Sequence, residues 1–439
     1  MRDLLLDRAS PDADLLIPYD ALETATALAG CLNIKCIIMN RDILPTARLM
    51  LAGGAQIDIT QWRGLNLGQD LSLRDFTCNA LALPLPALLQ GSWIDSAQII
   101  DPLHGLDDIK NKLIRLASAS ALKQDPLRII RAYRLKAELG FSFEQALEPA
   151  IKEALPGLSK IAPERLGQEW LRLMGQKKAA GAITDMDPLL SFLVPGWEAC
   201  RGLKQNPYHH LPVLEHSLDS VRALEEILNQ PHLRDLHEDL ADIDLPLLKT
   251  ATLLHDLGKA PTARFKAPGW NSFYNHDKAG ARLAEKACLN LGLGPRQAEF
   301  VSRLVARHML PQHLLNAVRR YPFVRNRQIR RFILRNQNIP QLMLMALADI
   351  MAGKGPRRPP ELEKHFIALW REMEQVRKTQ PSPAPLLNGH QVMAACDLKE
   401  SPLLGRILKR LRNCQLDGKV DNEAQALDLV RQWAEEEKR

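Results

Sequence analysis

The chain has 439 residues, 46% hydrophobic and 25% charged, which indicates a globular protein that is too long for one compact core. It contains no run of 18 apolar residues, which argues against a membrane span, and its first residues do not resemble a signal peptide. Seven cysteines without zinc-finger spacing favour reduced thiols and a cytoplasmic location, and the net charge of +7 favours a polyanionic partner.

The first part of the chain mixes strand and helix patterns. "KCIIMN" and "AQIDITQW" have the composition of strands, and Gly53-Gly54 predicts a turn before the second of them. The next segment with an unusual pattern is "LRDFTCNALAL", at positions 73 to 83. Its simplest interpretation is an amphipathic helix with a polar first turn, in which Asp75 and Asn79 share one face.

Three carboxylates of this part indicate a metal site. Asp12 and Asp14 are two residues apart at the start of a predicted strand, so their side chains share a face. Asp58 lies on the polar face of "QIDIT". Like charges held side by side are unfavourable without a cation between them, and three carboxylates on adjacent strands can hold two Mg²⁺ ions. Asp-x-Asp is, however, also common in loops that bind no metal.

The rest of the chain has helical patterns. "DPLRIIRAYRLKAELGF" places Arg128, Arg131 and Arg134 three apart, hence on one side of a helix. "GKGPRRPP" cannot continue a helix, and "KTQPSPAP" predicts a hinge before a small helical tail. These breaks predict four domains, which comprise residues 1–115, 116–194, 195–355 and 356–439.

Histidines and carboxylates of the third predicted domain have the order His216, His255-Asp256 and Asp349. A single histidine is more often a surface residue than a ligand, but imidazoles and carboxylates on neighbouring helices suit a divalent cation such as Mg²⁺, Mn²⁺ or Ni²⁺. Lys259 lies one helical turn after Asp256 and could neutralise a bound phosphate.

Farther along, "RRYPFVRNRQIRRFILRN" holds seven arginines. Such a segment is either a solvated helix face or a surface that binds phosphates, and the sequence leaves both open.

Five segments in order resemble the motifs of class II tRNA nucleotidyltransferases and bacterial poly(A) polymerases: "MRDLLLDRASPDADL", "LRDFTCNALA", "IIDPLHGLDDIKNKLIR", "QDPLRIIRAYRLKAELGF" and "PERLGQEWLRLM". The resemblance implies an α+β fold: a small mixed-sheet nucleotidyltransferase head, followed by mostly helical neck, HD and tail domains. The histidine region itself resembles HD-domain phosphohydrolases. In this region, His276 and His308 are candidate ligands of a second metal ion or of a phosphate.

The resemblance also implies roles for the head residues. Asp12 and Asp14, with Asp58, would be the catalytic Mg²⁺ ligands, and Asp125 with Arg128 would read the base edge of CTP or ATP. The implied nucleotide-binding residues are Arg2, Arg74, Asp75, Asn79, Asp125, Arg128 and Arg131.

The chain departs from the family pattern at three places. Gln124 stands where the family has Glu, and Leu73 stands where it has a first Arg. The Gly-Gly that precedes the first helix in the family is absent, because the chain begins at Met1. An N-terminally incomplete head, either damaged or lacking an upstream segment, is therefore expected.

The expected activity is template-independent addition of C and A nucleotides to the 3′ end of tRNA, with no membrane or protein partner. One alternative is an enzyme that adds only CC, because only the seven residues Gly64 to Asp70 separate Arg63 from "LSLRDF", where the family's CCA-adding members have a longer loop. The other is an HD phosphohydrolase or RNA-binding protein whose head no longer polymerises.

Overall fold

The computed structural model describes residues 1–9, 12–40, 44–89, 96–236, 243–267, 270–379, 384–416 and 419–438. The chain divides into two compact units, Met1–Phe192 and Leu193–Arg439. Within the described ranges, no helix is both long and apolar enough to cross a membrane. All seven cysteines are free thiols. The finer division into four domains stays a prediction.

A four-stranded mixed sheet forms the start of the first unit. Its strands are β1 (Asp12–Ile17), β2 (Lys35–Asn40), β3 (Thr46–Met50) and β4 (Gln56–Gln61), in the order β1-β4-β3-β2. β1 runs parallel to β4, and the other two pairs are antiparallel. The strands expected from "KCIIMN", "AQIDITQW" and the Asp-x-Asp segment are confirmed, whereas β3 has no counterpart among the predicted elements.

One face of this sheet is covered by helix α2 (Ala21–Leu32). Three alanines at a spacing of four, Ala21, Ala25 and Ala29, are buried against the apolar side chains of β3 and β4. Asp20 caps the helix by accepting hydrogen bonds from two backbone N–H groups of its first turn. Because side chains alternate along a strand, the polar residues of β1 and β4 lie on the opposite face.

The remainder of the first unit is mainly helical. Its helices α1 and α3–α11 and the short strands β5 and β6 are, in chain order, Arg2–Leu5, Leu67–Ser72, Leu85–Leu89, Gly105–Lys110, Leu113–Ile114 (β5), Ala121–Gln124, Arg128–Leu139, Ser142–Phe143 (β6), Leu147–Ala154, Pro163–Met174, Ala179–Asp185 and Asp187–Leu193. The helix expected over positions 73 to 83 is absent. Thr77–Asn79 forms a single 3₁₀ turn instead, and that prediction was wrong.

The second unit is built almost entirely of helices. Its elements α12–α23, β7 and β8 are, in chain order, Val213–Asn229, Leu245–Leu254, Lys259–Thr262, Arg264–Ala267 (β7), Trp270–Ser272 (β8), His276–Asn290, Pro295–Val305, Leu310–Arg320, Arg325–Arg335, Ile339–Ala352, Leu362–Thr379, Gly389–Cys396, Pro402–Leu416 and Glu423–Lys438. α12 packs against α19 and α13, and α15 packs against α16. This packing determines which histidines and carboxylates meet.

The last three helices, α21 to α23, have a hydrophobic core of their own, which includes Val392, Leu411 and Trp433. The break predicted at 353–360 is confirmed, because α19 ends at Ala352 and α20 begins at Leu362. The hinge predicted from "KTQPSPAP" falls partly on residues 380–383, which lie outside the described residues.

Candidate functional site

The three head carboxylates share the polar face of the sheet. In the parallel pairing of β1 with β4, Asp14 is the register partner of Asp58, and Asp12 is the partner of Gln56. Gln56 Nε2 donates a hydrogen bond to Asp12 Oδ1 at 2.6 Å. Among the described residues the three carboxylates do not form a group with ligand atoms within 4.8 Å of one another. The three carboxylates nevertheless share one face and offer oxygen donors, which are the ligands that Mg²⁺ prefers.

Arg48 on β3 fixes one of these carboxylates. Its Nε and Nη2 donate to the two oxygens of Asp58, each at 2.7 Å, in a bidentate pair. The hydrogen bond to Asp58 raises the pKa of Arg48. Asp58 therefore has a defined orientation, while the side chains of Asp12 and Asp14 are exposed. Sequence reasoning missed Arg48, because it lies on the strand that was not predicted.

Asp75 is the buried centre of a polar network. It accepts hydrogen bonds from Asn79 Nδ2 at 3.0 Å and from the Phe76 N–H at 2.8 Å, and Arg131 Nη2 donates to its other oxygen at 2.7 Å. Burial opposes ionisation of Asp75, but the Arg131 charge and these hydrogen bonds keep its pKa below the usual value. Asp75 and Asn79 do meet as expected, although across a 3₁₀ turn and not along an α-helix.

Arg2 joins the same network from the first helix. Its Nη1 donates to Asn79 Oδ1 at 2.8 Å, and its Nη2 donates to Glu138 at 3.1 Å. The N-terminal helix, the 3₁₀ turn and α7 are thereby connected through charged hydrogen bonds, each worth roughly 1.5–3 kcal/mol. In this arrangement Arg2 positions Asn79.

Glu169 on α9 holds the arginines of α7. Although only 3% exposed, it accepts hydrogen bonds from Arg134 at 2.8 Å, Arg172 at 3.1 Å and Arg131 at 3.5 Å. Sequence reasoning missed it, but a signal exists. Glu169 is three residues after the buried Leu166 and four before the buried Leu173, so helical periodicity places it on the buried face.

The helical pattern expected from Asp125 onward begins only at Arg128, which corrects that part of the prediction. Asp125 has extended backbone geometry between α6 and α7, with φ −144° and ψ 94°, while Arg128 is the first residue of α7. Asp125 accepts a hydrogen bond from Arg165 Nη2 at 2.7 Å. Arg128 donates to the carbonyl of Leu73 at 2.8 Å, and burial lowers its pKa.

The connection between β4 and the Asp75 network is fixed by a buried carboxylate. Asp70 accepts hydrogen bonds from the backbone N–H of Arg63 at 2.9 Å, from its Nε at 3.2 Å and from Arg74 Nη2 at 2.9 Å. Burial raises the pKa of Asp70, but the Arg63 N–H and the Arg74 charge more than offset this and lower it overall. Arg74, one of the implied nucleotide-binding residues, is thus held in a fixed position.

The second unit brings together the histidines and carboxylates predicted as metal ligands. His216 comes from α12, Asp349 from α19, and His255-Asp256 follow α13. His216 Nε2 is 2.8 Å from Asp349 Oδ1 and 3.7 Å from Asp256 Oδ2, and His255 Nε2 is 3.3 Å from the same Asp256 oxygen. The charges of His255 and Lys259 keep the pKa of Asp256 low despite its burial.

His276 and His308 meet the other oxygen of Asp256, at 3.7 and 4.0 Å. The Nδ1 of each faces a backbone carbonyl, of Phe273 at 2.8 Å and of Val305 at 2.7 Å, so Nδ1 carries the proton and Nε2 is an acceptor. Burial lowers the pKa of His308 to about 3. Two acceptors therefore face each other at 3.1 Å, an arrangement that a cation beside both would stabilise.

Unpartnered buried nitrogens support the same conclusion. Within the described part of the chain, His216 Nδ1 and His209 Nδ1 are buried and have no hydrogen-bond partner. His209 can form a ligand group with His216 and Asp349, yet it was not among the predicted ligands. It precedes α12 and has no helical periodicity that would have indicated it. The donor set fits one or two divalent cations, since imidazole and carboxylate are common ligands of such ions.

A cavity of about 570 Å³ opens beside this cluster. Asp256, His276 and Asp349 form one side, and the lining also includes the cations Lys266 and Arg358 and the aromatic residues Tyr208, Trp270, Phe273 and Tyr274. Lys259 also lines it and donates hydrogen bonds to Asp256 and Gln205. Lys259 thus neutralises Asp256, and its assignment as a phosphate ligand stays a prediction.

The two sites define a class of protein: a nucleotidyltransferase head joined to helical regions that include a histidine-aspartate cluster able to hold a metal ion. Residues 1–115 match the family model of the poly A polymerase head domain, residues 140–200 that of the probable RNA and SrmB-binding site of polymerase A, and residues 213–353 that of the HD domain. The chain belongs to the tRNA nucleotidyltransferase and poly(A) polymerase family, and it is an enzyme of that class with an HD domain.

Relatives with different nucleotide specificities are similar to this chain. The A-adding tRNA nucleotidyltransferase of Deinococcus radiodurans is 33% identical over 84% of this chain and 80% of its own length. The CC-adding tRNA nucleotidyltransferase of Thermus thermophilus is 30% identical over 99% of this chain and 92% of its own length. The Thermotoga maritima CCA-adding enzyme, solved in complex with tRNA, has the same fold, with a TM-score of 0.57, 20% identity, and 98% and 88% of the two chains covered.

Proposed function

We propose that this enzyme adds nucleotides from CTP and ATP to the 3′ end of tRNA without a nucleic-acid template. The observation that carries the proposal is the register pairing of Asp14 with Asp58, which places Asp12, Asp14 and Asp58 on one face of the sheet. We place the activity in the cytosol, where seven free thiols remain reduced.

Asp12 and Asp14, with Asp58, would hold Mg²⁺ in the head. When bound there, Mg²⁺ neutralises triphosphate charge and favours ionisation of the attacking 3′-hydroxyl. Arg48 keeps Asp58 aimed at the face it shares with Asp14, and Asn79 and Arg74 orient sugar and phosphates. Base selection falls to the carboxylate of Asp125, which accepts hydrogen bonds, and the guanidinium of Arg128, which donates them.

The test is incubation of the full chain with tRNA that lacks its last three nucleotides and with labelled CTP or ATP. The expected result is a Mg²⁺-dependent extension of the tRNA by discrete nucleotides. The Asp12→Ala, Asp14→Ala double variant is the negative control. If the wild type leaves the tRNA unextended and still hydrolyses phosphoesters, the rival function applies: a phosphohydrolase with a head that does not polymerise.

A second candidate is addition of CC alone. It is favoured by the short connection after β4, in which Asp70 ties Arg63 to Arg74, and by similarity to the CC-adding relative of Thermus thermophilus. Exchanging CTP for ATP requires the base-reading groups to reorient, and a tied connection has little freedom to move with them. A gel of products formed with CTP and ATP together decides: a terminal A on tRNA that began without its last three nucleotides contradicts CC-only addition. A terminal A on tRNA already ending in CC, without CC addition, would instead match the A-adding relative.

For the second unit we propose metal-dependent phosphoester hydrolysis. His216, His255, Asp256 and Asp349 would hold a divalent cation such as Mg²⁺, Mn²⁺ or Ni²⁺, and His276 and His308 with Asp256 would hold a second. The cavity beside them offers Lys266 and Arg358 to an anionic substrate. Phosphate release from nucleotides and opening of 2′,3′-cyclic phosphates, measured with each cation in turn, test this. No stimulation by any cation would contradict it.

A further inference from the structure

The basic charge of this protein is concentrated in one segment. Residues 300–348 contain nine arginines and no aspartate, glutamate or lysine. The whole chain has a net charge of +7, so these nine charges leave −2 for all other residues together. A solvated helix face usually mixes both signs of charge, and this segment does not.

Arginines of α17 and α18 point to solvent from this segment. α18 buries Ile329 and Phe332, so its apolar face is covered, and exposes Arg327 and Arg330 one turn apart. Within the described part of the chain, Arg319, Arg327 and Arg330 have no carboxylate partner. Arg325, by contrast, is paired with Glu372 at 2.6 Å. The charges of these three arginines are therefore not neutralised by any carboxylate of the described residues.

A neighbouring helix adds further basic residues. α22, Pro402–Leu416, is in contact with α18 and has four basic residues and no acidic one. Arg406 and Lys409 are exposed there, while Arg410 stacks on Trp433 at 4.3 Å and pairs with Glu436 at 3.5 Å. The charged residues of these two adjacent helices are therefore all basic.

Two aromatic rings project from the turn between α17 and α18. Phe323 is 84% exposed and Tyr321 is 42% exposed, with ring centroids 6.2 Å apart. The guanidinium of Arg320 lies 5.4 Å from the Tyr321 ring. Exposed rings among unpaired arginines provide both a stacking partner for bases and a charge partner for phosphates.

We infer that this arginine surface, defined by Arg319, Arg320, Tyr321, Phe323, Arg327 and Arg330, binds the phosphate backbone of RNA, with an unpaired base stacked on Phe323. It is a second RNA contact, separate from the segment 140–200 that matches the RNA-binding family model. The inference rests on the proposed function in taking tRNA as the partner. Anionic lipid is disfavoured, because membrane-surface helices expose an apolar face and that of α18 is buried.

The test measures tRNA affinity of the full chain at several salt concentrations, without nucleotide. In the triple variant R319Q/R327Q/R330Q, the slope of log affinity against log salt should become shallower by about 2–3, since each lost phosphate contact contributes roughly 0.7–0.9. The matched control R201Q/R222Q/K364Q removes the same charge from exposed residues that are paired with Glu198, Asp219 and Glu361. Its slope should equal that of the wild type.

Phe323→Ala should weaken binding by about fivefold or more and leave the salt slope unchanged, because it removes stacking and no charge. Equal slopes for the triple variant and the wild type would overturn the inference, as would an equal change in the matched control. A triple variant that loses binding to phosphatidylserine vesicles but keeps its affinity for tRNA would also overturn the inference. A chain that binds tRNA through this surface but adds no nucleotide contradicts only the proposed function. Nucleotide addition with an unchanged KM for tRNA in the triple variant contradicts only this inference.

Discussion

Replacing Asp70 by asparagine should loosen the connection between β4 and the Asp75 network. The Asp70 side chain is 1% exposed and accepts four hydrogen bonds, from the backbone and Nε of Arg63 and from Nε and Nη2 of Arg74. Asparagine has almost the same volume but only one acceptor oxygen and no charge. The substitution therefore leaves two guanidinium groups without their buried carboxylate.

The expected loss in the free energy of unfolding follows from this geometry. Removing one partner of a buried ion pair costs roughly 3–5 kcal/mol. The side chains of Arg63 and Arg74 are 31% and 29% exposed, so water partly solvates them after the change. We therefore expect a loss of about 2–3 kcal/mol, or about 4–12 °C in the Tm of the first unit.

The effect should depend on pH in a defined direction. The pKa of Asp70 lies below its ordinary value of 3.8 in the folded chain, so the ionised carboxylate stabilises the fold above that value. This contribution disappears as the pH falls through the lowered pKa. The stability difference between wild type and Asp70→Asn should be constant above about pH 5 and should narrow below about pH 4.

Urea unfolding of both proteins across this pH range measures the difference, and the KM for CTP should rise as Arg74 is released. Asp185→Asn is the control: it removes a carboxylate paired with Lys136 that is 45% exposed, so a loss below about 1 kcal/mol is expected. An Asp70→Asn variant as stable as this control, or a difference that widens in acid, would refute the reasoning.

Three further predictions concern the other carboxylates. Asp12→Ala and Asp14→Ala should each abolish nucleotide addition while tRNA affinity stays nearly unchanged, because these residues act on the triphosphate and the hydroxyl; activity retained in the double variant contradicts this. Asp256→Ala should remove divalent-metal binding and phosphoester hydrolysis but leave nucleotide addition intact. The control is His313→Ala, which changes an exposed histidine. Equal metal content in the wild type and the Asp256→Ala variant would contradict this prediction. Glu169→Gln should lower the stability of the first unit by about 3 kcal/mol, since it deprives Arg131 and Arg134 of a buried carboxylate; an unchanged urea midpoint would show that the network contributes little.

Local periodicity was enough to place the head carboxylates on one face. Asp12 and Asp14 are two apart on a strand, and Asp58 alternates with Ile57 and Ile59, so the pleat of β1 and β4 decides their direction. Periodicity fails at the Asp125 break, but a local rule would have found it. Pro126 disfavours helical geometry for the residue before it, and Asp125 is extended as that rule requires.

Contacts between distant segments were beyond sequence reasoning. Arg131 donates a hydrogen bond to Asp75 across a sequence separation of 56 residues, and Arg2 donates one to Asn79 across 77 residues. No periodicity encodes such pairs, because they depend on how the helices pack. His209 was missed for the same reason: its place beside Asp349 depends on the packing of α12 against α19.

The composition of the acid-free segment 300–348 has a consequence for how its charge can be controlled. All nine of its ionisable basic side chains other than histidine are arginines. A guanidinium remains protonated at any physiological pH, and lysine acetylation, a common way to remove a positive charge from a protein, has no target here. The charge of these nine side chains is therefore constant, and ionic strength is the variable that changes their attraction to a polyanion.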